Sequence, residues 1–332
     1  MIKLKELLSK SNIKFIENQQ LSVKSTFKIG STADIFIAPE NIKEFQQVLN
    51  ITETLKKDFF ILGGGSNIVF PDTPFHKVII STENLKAVEE LTLENSSLSG
   101  LSEKNKVLVK CQSGTAMASF VNYCTEHSLS GAEEFAGLPG SVGGAVFMNA
   151  RCFNKSINEI FYSASYLDMN EQEKSLIKKE LKYNISDWDY KKSPFQGAEG
   201  SQKGSSAEDA RKIITEVTFI LTKMPETSRK DIEINCKKYI SERVAKGHFK
   251  YPSAGSVFKN NRSFGKPSGQ LIDEAGLKGF TSGGAKIAPF HGNFIININK
   301  ATSKDVKYIV GTVQKIVKEK SGFMLEPEII FL

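Results

Sequence analysis

The chain has 332 residues, 40% hydrophobic and 24% charged, with a formal net charge of +7 at pH 7. That length exceeds one ordinary hydrophobic core and predicts two or three domains of a globular protein. No apolar run of about 18 residues occurs, which argues against a membrane-spanning helix, and the lysine surplus favours anionic partners.

The N-terminal run MIKLKELLSKSNIKF has lysines but no continuous apolar segment and no small-residue cleavage site. It reads as a short amphipathic helix, not a signal peptide. Residues 32–38 (TADIFIA) alternate as a strand that Pro39 ends. Asn41 is suited to cap a helix running to about Leu55. A strand over 58–62 leads directly into Gly63-Gly64-Gly65-Ser66-Asn67. Strand signals recur at 68–70, 78–80 and 107–111, and a helix over 116–127 carries Phe120, Val121 and Cys124 on one face. A second glycine cluster runs from Gly137 to Ala145 (GLPGSVGGA). Strands are expected at 160–167 and 213–221. Between them, 196–209 (QGAEGSQKGSSAED) reads as a flexible polar surface loop. After Pro225 come a charged helix over 229–245, a strand at 294–298 and a helix over 303–320 capped by Thr302 or Ser303. The whole reads as α+β, with one boundary near 225 and a subdivision of the first part near 80–100.

Cys111, Cys124, Cys152 and Cys236 are scattered without a C-x-x-C pair, and His76, His127, His248 and His291 complete no zinc spacing. Four reduced thiols in a cytoplasmic protein are expected, with no metal. The lysines are spread along the chain rather than gathered in a stripe. A phosphate-bearing small ligand therefore fits better than nucleic acid.

Gly63-Gly64-Gly65 after a strand lets backbone N–H groups converge on an oxyanion, with Ser66 and Asn67 adding side-chain donors. The bland alternative is a hairpin or tight turn. Neither the G-x-G-x-x-G spacing nor a Gly-Lys-Ser/Thr loop is present. The second cluster, with Gly137, Gly140, Ser141, Gly143, Gly144 and Ala145, strengthens the phosphate reading, because two such turns suit a dinucleotide.

The run Pro252-Ser-Ala-Gly255-Ser256-Val-Phe-Lys259-Asn260 sets a small hydroxyl in a tight turn, where Gly255 permits close substrate approach. Taken alone, Ser256 reads equally as a turn serine or a helix cap. No G-x-S-x-G elbow or His/Asp partner supports a hydrolase triad. Glu328 sits in an otherwise apolar terminal strand, 325–332. A carboxyl there can titrate high and act as an acid, or simply face water.

In this order the motifs resemble those of the UDP-N-acetylenolpyruvoylglucosamine reductase family. The carriers are Leu62-Gly-Gly-Gly-Ser-Asn67, Gly137–Ala145, Ser253–Asn260, Leu271-Ile-Asp-Glu-Ala-Gly-Leu-Lys-Gly279 and His291-Gly-Asn-Phe-Ile-Ile-Asn297. Nearly the whole chain is covered. The resemblance implies a vanillyl-alcohol-oxidase-type (PCMH-like) FAD-binding region over 1–224 and a smaller α+β substrate-binding domain over 225–332. It implies FAD as cofactor, NADPH as co-substrate and UDP-N-acetylglucosamine enolpyruvate as the group reduced, for peptidoglycan precursors. A cytoplasmic monomer is expected.

By the same resemblance Leu62, Gly63, Gly64, Gly65, Ser66 and Asn67, with Gly137, Gly140, Ser141, Gly143, Gly144 and Ala145, bind the cofactor, Ser256 donates a proton, and Glu328 polarises the substrate carboxylate. Tyr190, Lys246, Lys259 and Asn260 are expected to hold substrate. Two departures stand out. The family's Tyr-Arg-x-Ser-x-Phe run here reads Tyr190-Lys191-Lys192-Ser193-Pro194-Phe195. Lys191 keeps the charge but loses the bidentate fork. After Asn149, the family's Ala-Gly-Ala is replaced by Ala150-Arg151-Cys152, and Arg151 or Lys192 is a candidate to supply what is missing. No tyrosine occurs in 196–212, which favours the class without a tyrosine lid. Another flavin-linked sugar or alcohol oxidase of the same fold, or a non-catalytic nucleotide-binding paralogue, are the competing readings.

Overall fold

The computed structural model describes residues 1–91, 105–170, 175–196 and 212–332. The expected polar loop and the insertion bearing on the lid class therefore fall almost wholly outside the described residues, as does part of the 80–100 subdivision.

The chain divides into two compact units. One comprises Met1–Ile16, Ile35–Gly64 and Lys77–Ile240; the other comprises Glu17–Asp34, Gly65–His76 and Ser241–Leu332. This partition differs from a single cut near 225. Two N-terminal segments fold with the C-terminal residues, because Phe27, Ile29 and Val69 bury in the same core as Phe258, Leu271 and Ile309. Long-range polar bonds tie them there. Thr26 Oγ1 donates to the Ser253 carbonyl at 2.8 Å, and the Ser303 amide donates to the Asp72 carboxylate at 2.7 Å. A contiguous reading of the sequence does not reveal such returns.

In the larger unit, α1 (Ile2–Lys10) and α2 (Ile42–Thr54) pack through Leu4, Leu8, Phe45, Val48 and Leu49. The Asn41 side chain accepts from the Glu44 amide and caps α2 as expected, a bond worth about 1 kcal/mol. The same core takes Phe59, Val78 and Ile80 from a parallel pair in which Phe59 to Leu62 lie beside Val78 to Ser81. A second, antiparallel sheet runs in the order Ser175–Lys182, Phe161–Asn170, Ile213–Lys223, Lys106–Gln112, Val88–Leu91. Against it pack α3 (Met117–Glu126), α4 (Val142–Phe147) and α5 (Arg229–Ala245), through Phe120, Val121, Val146, Ile232 and Cys236. The Phe120 and Phe219 rings stand 4.6 Å apart at the centre. All four cysteines are free and buried. Burial pushes the Cys111 thiol up to about 12, so it is protonated and inert at neutral pH.

The smaller unit has its own antiparallel sheet, ordered Ser253–Ser256, Phe294–Asn297, Ala285–Ile287, Thr281–Ser282. It is covered by α6 (Ser268–Glu274) and α7 (Ser303–Ser321), which bury Leu271, Ile272, Val306, Ile309 and Val313. Thr302 and Asp305 form a capping box on α7. Ile330 and Phe331 pair in parallel with Ile68 and Val69. Only these two residues of the terminal run are strand, so Glu328 precedes the strand rather than lying in it. Among the described residues no helix is long and apolar enough to cross a membrane.

Candidate active site

Gly63 and Gly64 of the first glycine cluster meet the second cluster, far along the chain, in the larger unit, whereas Gly65, Ser66 and Asn67 belong to the smaller one. A Cβ on Gly64 would stand 2.5 Å from Gly140 Cα, and one on Gly63 would stand 2.6 Å from Ser141 Oγ. Only glycine permits this backbone approach. Gly64 itself is exposed, so the junction presents a bare main-chain surface. Gly65 has φ +62, and a side chain there would run into the Lys24 carbonyl. Leu62 and Ala145 are buried and line the interior behind this surface.

The second cluster is built differently from a ring of open amides. Ser141 caps α4, its Oγ accepting from the Gly144 amide at 3.3 Å. The amides of Val142, Gly143 and Ala145 donate to the carbonyls of Thr115, Ser113 and Ser141. Gly143 is required by packing, since its Cβ would press on Ser113 at 2.7 Å. Gly143, Gly144 and Ala145 thus shape the cradle from behind. The Ser113 hydroxyl beside them is buried and has no hydrogen-bond partner. An exposed junction of main chain free of side chains fits the phosphates of a dinucleotide cofactor.

Tyr190 and Lys191 occupy the tip of a turn, not a strand. Asp189 and Lys192 exchange backbone hydrogen bonds at 3.2 and 3.0 Å across it. Tyr190 is exposed, and Lys191 is half-buried with φ +58, a left-handed conformation costing a lysine about 1 kcal/mol. The turn is held to the far end of α4. Asn149 Nδ2 donates to the Asp189 carbonyl at 2.8 Å, and Ser193 Oγ donates to the Phe147 carbonyl at 2.7 Å. Neither pin announces itself locally: Ser193 lies within the Tyr190–Phe195 run and Asn149 directly before Ala150-Arg151-Cys152. Arg151 is engaged across a short hairpin, its guanidinium donating to Ser156 Oγ at 3.2 Å.

In the smaller unit Ser256 ends a strand, opposite Phe294. The register shifts between Ser253 and Ser256, and Gly255 has φ +76. The expected tight turn is therefore a bulged strand, which re-aims the serine. A Cβ on Gly255 would meet nothing within 4 Å, so the space beside Ser256 is open. Glu328 is brought alongside: its amide donates to the Val257 carbonyl at 2.7 Å, and Lys259 N donates to the Glu326 carbonyl at 2.9 Å. Asn67 clamps the same segment, Nδ2 donating to the Glu328 carbonyl at 3.1 Å. Asn67 is thus occupied within the smaller unit.

The expected substrate anchors have protein partners of their own. Lys259 Nζ pairs with the Glu326 carboxylate, and Asn260 Oδ1 accepts from the Ser268 amide at 2.9 Å, capping α6. Lys246 is exposed, with Glu242 at 3.9 Å. Next to Ser256's strand partner lie two histidines that the sequence reading left aside. The rings of His248 and His291 pack on Phe294 with centroids at 4.8 and 4.4 Å. Burial, then the charges of Arg243, His291 and Lys246, hold His248 down to about 4. His291 is lowered as well, chiefly by burial. Among the described residues no group of three or more His, Cys, Asp or Glu could hold a metal.

Two family models match the chain: an FAD binding domain over residues 33–162 and the C-terminal domain of UDP-N-acetylenolpyruvoylglucosamine reductase over 247–332. A protein named UDP-N-acetylenolpyruvoylglucosamine reductase from Treponema denticola is 44% identical over 92% of this chain and 90% of its own length. The chain belongs to the UDP-N-acetylenolpyruvoylglucosamine reductase family. The relative of that name from Borreliella burgdorferi is 38% identical, covering 99% of this chain and 98% of its own. The solved reductase of Thermus caldophilus superposes with a TM-score of 0.70 at 25% identity, over 96% of this chain and 98% of that one. Membership brings the expected α+β, vanillyl-alcohol-oxidase-type fold class and FAD as cofactor. Both glycine clusters lie within the FAD binding match, and Ser256, Lys259, Asn260 and Glu328 lie within the C-terminal match. Tyr190 and Lys191 fall outside both matches, and Lys246 stops one residue short.

Two predictions follow from this geometry. Gly64→Ala forces the glycine junction apart, an overpacking cost of about 1–3 kcal/mol, and should weaken FAD retention about tenfold or more. Flavin fluorescence after gel filtration reads this, and undiminished retention contradicts the junction's role. His248 titrates near 6.5 unfolded and near 4 folded. Its contribution to stability is therefore intact above about pH 6.5 and lost as pH falls from there through about 4. Urea unfolding across that window should show a shallower acid loss for His248→Gln than for wild type; an unchanged slope contradicts the assignment.

Proposed function

We propose that this chain reduces the enolpyruvyl ether of UDP-N-acetylglucosamine to the lactyl ether, UDP-N-acetylmuramate, for peptidoglycan precursor synthesis in the cytoplasm. Full-length family membership carries the reaction class. FAD, once bound, supplies a hydride to the vinyl methylene carbon, its electrons coming from NADPH. The chain's own residues govern the other half of the addition, in which a proton reaches the carbon next to the carboxylate.

Ser256 is the proton donor in this reading. A serine hydroxyl is a weak acid, so it gives up its proton only as negative charge develops on the adjacent carbon. Glu328 and Lys191 moderate that charge on the substrate carboxylate, Glu328 by hydrogen bonding and Lys191 as a cation. A lysine ammonium is a compact point charge and makes one strong contact where a guanidinium fork makes two. The Tyr190 hydroxyl and Lys246 remain candidates for holding the sugar nucleotide. Lys259 and Asn260 serve it second to their contacts with Glu326 and Ser268.

The observation that carries the assignment of Ser256 is the backbone pairing of its neighbour Val257 with Glu328, beside the open space at Gly255. The two segments that carry the candidate groups are thereby joined main chain to main chain. Removing the Ser256 hydroxyl separates the two half-reactions. In stopped-flow experiments Ser256→Ala should still be reduced by NADPH, while reoxidation by the enolpyruvyl substrate slows by on the order of 10²-fold or more. Reoxidation at the wild-type rate contradicts the role given to Ser256.

A further inference from the structure

We infer that Asn149 is a positioning residue for Lys191, acting with Ser193 by clamping the Tyr190–Lys191 turn to the end of α4. The inference rests on the reading above, in which the Lys191 ammonium faces the substrate carboxylate.

The turn is flanked by two buried aromatics, Trp188 before it and Phe195 after it, with ring centroids 6.5 Å apart. Residues 182–187 before it are exposed, as are Asp189, Tyr190 and Lys192. Within it Asp189 and Lys192 pair through the backbone, and the Tyr190 amide donates to Asp189 Oδ1 at 2.6 Å. Lys191 is held left-handed at φ +58, which a lysine does not choose unaided. Side chains outside the turn help to select that conformation.

Asn149 and Ser193 do so from two sides. Both side chains are buried, each only 3% exposed. Asn149 donates through Nδ2 to the Asp189 carbonyl and accepts through Oδ1 from the Asn158 amide at 3.3 Å. That donor–acceptor pattern admits only one orientation of the amide group. The Asp189 carbonyl thus takes two hydrogen bonds, one from the turn's own Lys192 and one from Asn149. On the other flank Ser193 Oγ donates to the Phe147 carbonyl at the last residue of α4 and accepts from the Phe195 amide at 3.3 Å. Asn149 itself has φ +40, and its amide donates to the Val146 carbonyl at the same helix end. The helix that opens on the glycine cluster with Ser141 therefore closes on the turn that carries Lys191. A lysine needs this more than an arginine would: its single point charge acts in proportion to its placement, with no planar fork to orient it.

The test is a double-mutant cycle read on the two half-reactions of the FAD-loaded enzyme. Asn149→Gly keeps the left-handed backbone accessible and removes the clamp. It should slow reoxidation by the enolpyruvyl substrate about tenfold, with a much smaller change in flavin reduction by NADPH. In the Lys191→Ala background the same substitution should cost little more, because there is no ammonium left to position. Should Asn149→Gly lose FAD or melt early, Ser193→Ala enters the same cycle and should couple to Lys191 in the same way. Fully additive losses, or equal slowing of both half-reactions, overturn the inference while leaving the reading of Lys191 intact. A Lys191→Ala enzyme that reoxidises at the wild-type rate overturns that reading, and the inference with it.

Discussion

The approach of Gly64 to Gly140 is the constraint on which the larger unit's chemistry depends. Two loops well separated within the FAD-binding match meet main chain to main chain, and no residue with a Cβ fits at Gly64 without moving Gly140. The rest is arranged to support this contact. The strand Phe59–Leu62 delivers the first loop from a buried parallel pair. The second is fixed by the Ser141 cap and by the carbonyls of Ser113 and Thr115, which absorb the amides of Gly143 and Val142. The cluster therefore works as a template whose inner amides are satisfied by protein. The outer surface at Gly63, Gly64 and Gly140 is left free of side chains.

Much of this was legible in the sequence because local signals agreed with the fold. Asn41 and Thr302 cap the helices that their side-chain chemistry foretells. The strands at 32–37, 59–62 and 213–223 follow their apolar patterning. What failed were non-local features. Phe27 and Val69 join the C-terminal core over more than two hundred residues of chain, and nothing in their neighbourhood announces it. The strand Ser175–Lys182 is charged and was missed, because its pairing with Phe161–Asn170, not its composition, holds it. Among the site residues, the motifs gave identities but not partners. Lys259 and Asn260 looked like substrate anchors, and the fold uses both to close its own structure. Ser256 looked like a turn residue, yet a bulge at Gly255 carries it at a strand end.

In the proposed reading, lysine at position 191 changes the character of the site. An arginine fork carries its own geometry, whereas an ammonium depends on the backbone that presents it. The left-handed turn at Lys191 and its two buried pins put that geometry into the main chain. Ser256 and Glu328 are treated alike: hydrogen bonds among Val257, Glu328 and Asn67 fix the segments that carry them. In both units the side chains proposed to react are simple, and hydrogen-bonded backbone presents them.

The most direct test of the account is an anaerobic titration of the purified flavoprotein. NADPH should bleach the flavin absorbance, and the enolpyruvyl sugar nucleotide should restore it in the absence of oxygen, one equivalent per flavin. A flavin that recolours only when oxygen is admitted, or a chain that takes up no FAD at all, would contradict it.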